Sequence, residues 1–191
     1  MTELPKIKEA SIDFSTVCQL HCVECSTSKG ITHSGIVGKG MLSLSDFIDF
    51  INANPQIKRI EMSNWGEIFL NKDIYSIMEY AYHNGVTLYC GNGTNFNYVS
   101  DDVLEGLVKF HVEYLNLSID GASQETYSIY RRGGNFDKVI ANIEQLNFYK
   151  KNIILSIQNS PGNLSSSVIM STKFLKLKNF VSVITWPLIP N

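Results

Sequence analysis

Three of the chain's four cysteines, Cys18, Cys22 and Cys25, fall within the stretch "TVCQLHCVEC", and the fourth is Cys90. A C-x3-C-x2-C spacing on one short loop lets three thiolates converge on one metal centre. Packing, a disulfide, a zinc clamp and an iron-sulfur cluster are the chemistries open to such a loop. A cubane cluster held by three thiolates keeps one iron free for an outside ligand. His21 or His33 would instead complete a Cys3His zinc site. Cys90 stands far along the chain and is expected to be a buried small hydrophobe.

The elements that must position this loop follow from length and pattern. At 191 residues, 44% hydrophobic and 18% charged, the chain supports one globular core, expected to be a single domain. A formal charge of -2 gives no basis for binding a polyanion, so no nucleic acid is expected as a partner. The start "MTELPKIKEASIDF" has no apolar run of signal-peptide length, and no segment approaches the ~20 apolar residues of a membrane span. A cytoplasmic protein is therefore expected. In that reducing compartment, clustered cysteines serve as ligands or redox groups more often than as structural disulfides.

Runs rich in β-branched and aromatic residues alternate with helical runs, the pattern of a parallel sheet built from βα units. Six strands are expected, at 10–16, 57–63, 86–90, 114–119, 153–158 and 181–185. Between them, "SLSDFIDFINAN" opens with a Ser43-to-Asp46 start signal, and "KDIYSIMEYAYHNG" closes on Asn84-Gly85. "SDDVLEGLVKF" and "FDKVIANIEQLNFYKKN" also read as helices, and "SSSVIMSTKFLKLKN" as a weaker one. The polar, glycine-rich or cysteine-rich clusters all follow the carboxyl ends of strands, where open α/β sheets and β/α barrels place their active sites. Gly91-Asn92-Gly93 begins like a dinucleotide fingerprint, but Phe96 occupies the third glycine position.

Read in order, these clusters resemble the radical S-adenosylmethionine (SAM) enzymes. The cysteine motif after the first strand is similar to that family's signature. "NWGEIFLN" resembles its Gly-Glu-Pro element after the second strand, and "GNGTN" its Asn-Gly turn after the third. "NLSIDGASQETYSIYRRGGNFDKVIANI" resembles the fourth-strand region of the branch containing SPASM/twitch-type peptide maturases. The resemblance covers roughly residues 10 to 160.

It implies an α/β fold, a partial (β/α)6 TIM-like barrel of parallel strands with outer helices, expected to span residues 1–191 as one radical SAM core. It also implies a 4Fe-4S cluster on Cys18, Cys22 and Cys25, with SAM on the open iron. The chemistry would be reductive cleavage of SAM to a 5'-deoxyadenosyl radical and abstraction of hydrogen from a peptide or small-metabolite substrate. An electron donor such as flavodoxin or ferredoxin would be a partner. Trp65, Gly66 and Glu67 would offer backbone carbonyls to the SAM ammonium, with Gly66 permitting close approach and Glu67 holding the loop. Asn92 belongs to the Asn-Gly turn, Ser118 would reach the ribose or carboxylate, and Arg131 or its neighbour Arg132 would meet the carboxylate. Asp120 is expected to shape the turn with Gly121.

Three positions depart from the family pattern. Glu24 stands where an aromatic residue is common, and Ile68 replaces the proline of the Gly-Glu-Pro element. No cysteine follows Cys90, so no auxiliary cluster is expected, and the chain is expected to be a truncated core, a minimal enzyme or half of a larger assembly. The competing reading is a zinc-binding or catalytically degenerate SAM-fold module acting as a recognition subunit.

Overall fold

The computed structural model describes residues 7–35, 37–158 and 181–183. Strands β1 (Glu9–Ser11), β2 (Arg59–Glu61), β3 (Thr87–Thr94), β4 (Leu115–Leu117) and β5 (Val181–Val183) form one parallel sheet in the order β1-β2-β3-β4-β5. Helices α1 (Leu44–Ala53), α2 (Ile74–His83), α3 (Asp101–Lys109), α4 (Gln124–Tyr130) and α5 (Phe136–Gln158) connect them. The strand order never reverses. The helices pack against the sheet through one shared core, as in a β/α barrel and unlike a doubly wound sheet.

The two faces differ sharply in chemistry because side chains alternate along each strand. Ile60 and Met62, Leu88 and Cys90, and Leu115 and Leu117 point outward into the core, with Ala10, Ile12 and Phe14 beside them. There they meet Phe47 and Ile51 of α1, Ile77 and Met78 of α2, Leu104 and Leu107 of α3, and Val139 and Leu146 of α5. Cys90 is fully buried among them, and burial pushes its thiol up to about 12, as expected of an inert core cysteine. The alternating positions Ser11, Glu61, Ser63, Gly91 and Ser118 are left for the inner face.

The expected start and stop signals operate locally. Ser43 caps α1 by accepting the Asp46 N–H at 3.1 Å. Asn84 closes α2, and Gly85 follows in the left-handed region. One expectation fails. Residues 153–158, read as the fifth strand, continue α5 to Gln158. Val139, Ile143, Leu146, Tyr149 and Ile153 recur at three- and four-residue spacing against the core, and no glycine or proline interrupts the run before Pro161-Gly162. The helical period outlasts the β-branched composition of "IILSIQ", so the described residues hold five strands where six were expected. The helix expected over 165–179 lies outside the described residues. No helix among the described residues is long and apolar enough to cross a membrane.

Candidate functional site

A cleft of about 360 Å³ opens at the carboxyl ends of β1 to β4, within the ~300–1,000 Å³ range of small-molecule sites. Cys18, Cys22, Cys25, Trp65, Gly66, Glu67, Asn92, Ser118 and Arg131 all line it. The ends of four strands thus bring these nine residues to one cavity.

The thiol loop has little regular structure of its own. Cys25 N–H donates to the Cys22 carbonyl at 3.3 Å, and two further bonds hang the loop on the turn after α4: His21 N–H to the Arg132 carbonyl, 2.9 Å, and Val23 N–H to the Tyr130 carbonyl, 3.4 Å. All three cysteines are free thiols. Hydrogen-bond donors surround the sulfurs. Leu20 N–H lies 3.5 Å and Asn95 Nδ2 3.6 Å from Cys18 Sγ, and Arg131 Nη1 lies 3.6 Å from Cys22 Sγ. Burial pushes the Cys18 thiol up to about 12; it also raises Cys22, with Arg131 pulling the other way. A bound cluster would hold these sulfurs as thiolates, and Leu20, Asn95 and Arg131 would donate to them.

This donor set fits an iron-sulfur cluster. Among the described residues no three His, Cys, Asp or Glu side chains are arranged to hold a single metal ion. A four-iron cluster instead distributes its thiolates over separate irons, so three sulfurs facing one cleft is the arrangement it requires. His21 and His33, the ligands of the zinc alternative, line a different hollow that Cys18 shares but Cys22 and Cys25 do not line.

Across the cleft, Glu67 ties two strand ends together. It is 1% exposed and accepts hydrogen bonds from Asn95 N–H at 2.7 Å, from Phe69 N–H at 3.4 Å and from the Thr94 hydroxyl. Burial raises its carboxyl despite these three donors. The side chain therefore braces the loop, while its own N–H donates to the Val17 carbonyl at 2.8 Å. Gly66 makes that contact possible. Its φ is +67°, and a Cβ there would stand 2.6 Å from the Ser15 carbonyl oxygen and 2.7 Å from Val17 N. The close approach is to the backbone leading into Cys18, so the Trp-Gly-Glu element fixes the entry to the thiol loop.

The structure also separates the two arginines. Arg131 lines the cleft, forms an ion pair with the buried Asp120 and reaches Cys22, which leaves part of its five-donor fork unused. Burial opposes its charge, and Cys22 and Asp120 more than offset that. Arg132 is exposed and contributes its carbonyl to His21. Asp120, expected only to shape a turn, is thus the partner that orients Arg131.

Two residues escaped the sequence reading. Asn95 joins Cys18 to Gln19, whose Nε2 donates to Asn95 Oδ1 at 2.9 Å. Asn97, also buried, donates to the Tyr127 hydroxyl at 2.8 Å and accepts the Asn135 N–H at 2.7 Å. The signal was present in "GNGTNFNY", where three asparagines crowd a strand end; a surface turn uses the same residues.

Comparison with known proteins agrees with this geometry. Residues 12–157 match the model of the Radical SAM superfamily. An AdoMet-dependent heme synthase of Methanosarcina barkeri (strain Fusaro / DSM 804) is 29% identical over 148 residues, which are 76% of this chain and 40% of that protein. The chain thus spans less than half the length of that relative. Streptococcus suis SuiB bound to the precursor peptide SuiA superposes with a TM-score of 0.59 at 17% identity, covering 74% of this chain and 30% of that one. Methylornithine synthase (PylB) superposes with a TM-score of 0.53 at 15% identity, covering 74% and 41%. The first is a likeness in sequence, the other two in fold, and the family match extends over all the residues that line the cleft. This chain belongs to the radical SAM superfamily.

Proposed function

We propose that this domain is the core of an enzyme that holds a 4Fe-4S cluster on Cys18, Cys22 and Cys25, binds SAM beside it, and removes a hydrogen atom from a peptide or small metabolite. The observation that carries this reading is the convergence of nine residues from four strand-end loops on one cleft, with three free thiols in its wall. When bound, the cluster and SAM would supply reductive cleavage of the sulfonium and the radical that takes the hydrogen.

The chain's own residues supply placement. The unused part of the Arg131 fork suits the carboxylate of SAM, with Asp120 fixing its direction. Carbonyls of the Trp65-Gly66 turn suit the ammonium, and Ser118, with Asn92 near it, suits the ribose. Glu67, whose carboxylate accepts from Thr94, Asn95 and Phe69, holds these loops at fixed separation. Peptide substrates gain support from the fold likeness to SuiB with its precursor peptide. An electron donor such as flavodoxin or ferredoxin would provide the electron.

Anaerobic reconstitution with iron and sulfide, followed by visible absorption and electron spin resonance, tests the proposal. A 4Fe-4S signal perturbed by SAM, and 5'-deoxyadenosine on reduction with dithionite, are the expected results. Stoichiometric zinc with no SAM-sensitive cluster would sink it.

A further inference from the structure

The inner face of the sheet carries a second hollow of about 560 Å³, lying toward the amino ends of the strands from the cleft. Asn92 lines both cavities. Its Nδ2 donates to Asn64 Oδ1 at 2.8 Å, and Asn64 Nδ2 donates to Ser11 Oγ at 2.6 Å, so a chain of small polar groups forms the partition.

Carboxylates and aromatic rings make the wall. Glu61, 6% exposed, accepts the Ser63 N–H at 2.9 Å, the Ser63 hydroxyl at 2.6 Å and the Gly91 N–H at 2.7 Å. All three donors are neutral, and among the described residues no Lys, Arg or His pairs with this carboxylate. Glycine at 91 is what admits it, since a Cβ there would stand 2.5 Å from Glu61 Oε2. Arg59, over the Tyr89 ring at 3.8 Å, is already shared between Glu9 and Glu113. That guanidinium thus serves two carboxylates and does not pair with Glu61. Tyr89 and Tyr114 stand side by side, ring centroids 5.1 Å apart.

We infer that this hollow takes the substrate of the reaction proposed above, and that the substrate carries a cationic nitrogen, an ammonium or guanidinium, seated on Glu61 with its aliphatic stem along Tyr89 and Tyr114. A buried carboxylate whose hydrogen bonds are all neutral keeps an uncompensated charge, which a cation offsets and an anion worsens. Tyrosine faces add cation–π attraction to the same group. The shared residue Asn92 places the stem of such a ligand next to the cofactor cleft. The inference rests on the proposed radical SAM function for its meaning, but binding in the hollow is measurable without turnover.

The test uses the cluster-loaded protein with SAM, titrated with 1,5-diaminopentane, 1,5-pentanediol and glutarate and followed by calorimetry and melting temperature. The diamine is expected to bind at least tenfold more tightly than the diol, and glutarate not at all. Glu61→Gln should weaken the diamine at least tenfold while Glu105→Gln, at an exposed position on α3, leaves it unchanged. Equal binding of diamine and diol, or undiminished binding by Glu61→Gln, overturns the inference. Should Glu61→Gln fail to fold, Tyr89→Leu carries the same test, with a severalfold loss expected for the diamine and none for the diol. Dithionite-driven 5'-deoxyadenosine formation by the unaltered protein separates the failures: its absence refutes the proposed reaction, whereas its presence without selective diamine binding refutes only the substrate class.

Discussion

The two walls of the cleft are built on opposite plans. Between Cys18 and Cys25 the thiol loop makes one backbone–backbone hydrogen bond of its own, Cys25 N–H to the Cys22 carbonyl, and two to the end of α4 and the residues after it, at Tyr130 and Arg132. Facing it, Glu67 is fully buried and gathers Phe69, Thr94 and Asn95 onto one carboxylate, with Gly66 pressed on the backbone of Ser15 and Val17. One wall presents three free thiols; the other is tied across strand ends by a single buried carboxylate. Changes in the first should therefore remove function and spare the fold, whereas changes in the second should lower the stability of the fold itself.

Replacing a thiol gives the largest functional effect. Cys22→Ala should abolish SAM-dependent 5'-deoxyadenosine formation, yet lower the stability of the cluster-free protein by only about 1 kcal/mol in urea titration. A large loss of cluster-free stability would break the comparison. Glu67→Ala should cost about 3–5 kcal/mol, because two backbone N–H groups and a hydroxyl lose their acceptor inside the protein. Glu67→Gln keeps one acceptor oxygen and should cost about 1 kcal/mol. Equal midpoints for the alanine and glutamine variants would show that the brace does not hold this wall.

Gly66→Ala should follow at about 1–3 kcal/mol, since φ of +67° and a 2.6 Å approach to the Ser15 carbonyl both resist a side chain. The smallest effect is a pH slope. Burial raises the Glu67 carboxyl above 4.5, so the folded protein holds this proton more tightly than the unfolded chain. Its contribution to cluster-free stability is present below pH 4.5 and is lost as pH rises through the folded value. Glu67→Gln should lack that component, and identical pH profiles for the two proteins would remove the carboxyl as its source.

Much of this was legible in the sequence, for different physical reasons. Start and stop signals such as Ser43 and Asn84-Gly85 act within one turn of chain, so they worked as written. "IILSIQ" was misread because its β-branched composition is a local preference, and α5 overrode it by continuing to bury one face. Asn95 and Asn97 were invisible because an asparagine at a turn looks the same whether it faces water or a buried tyrosine.

The sequence by itself determined the inventory of the site: three thiols at ligand spacing, a Trp-Gly-Glu turn, and the βα order that sends each cluster to the same end of a parallel sheet. Those properties reside in residue type and spacing along the chain. Only the tertiary structure decided how the parts divide their work. It turned Arg131 toward Cys22 and left Arg132 outside, buried Glu67 as a brace, and placed Glu61 over Gly91 in a hollow beside the cleft. Each of those outcomes depends on contacts between residues far apart in the chain, through distances and burial that spacing does not encode.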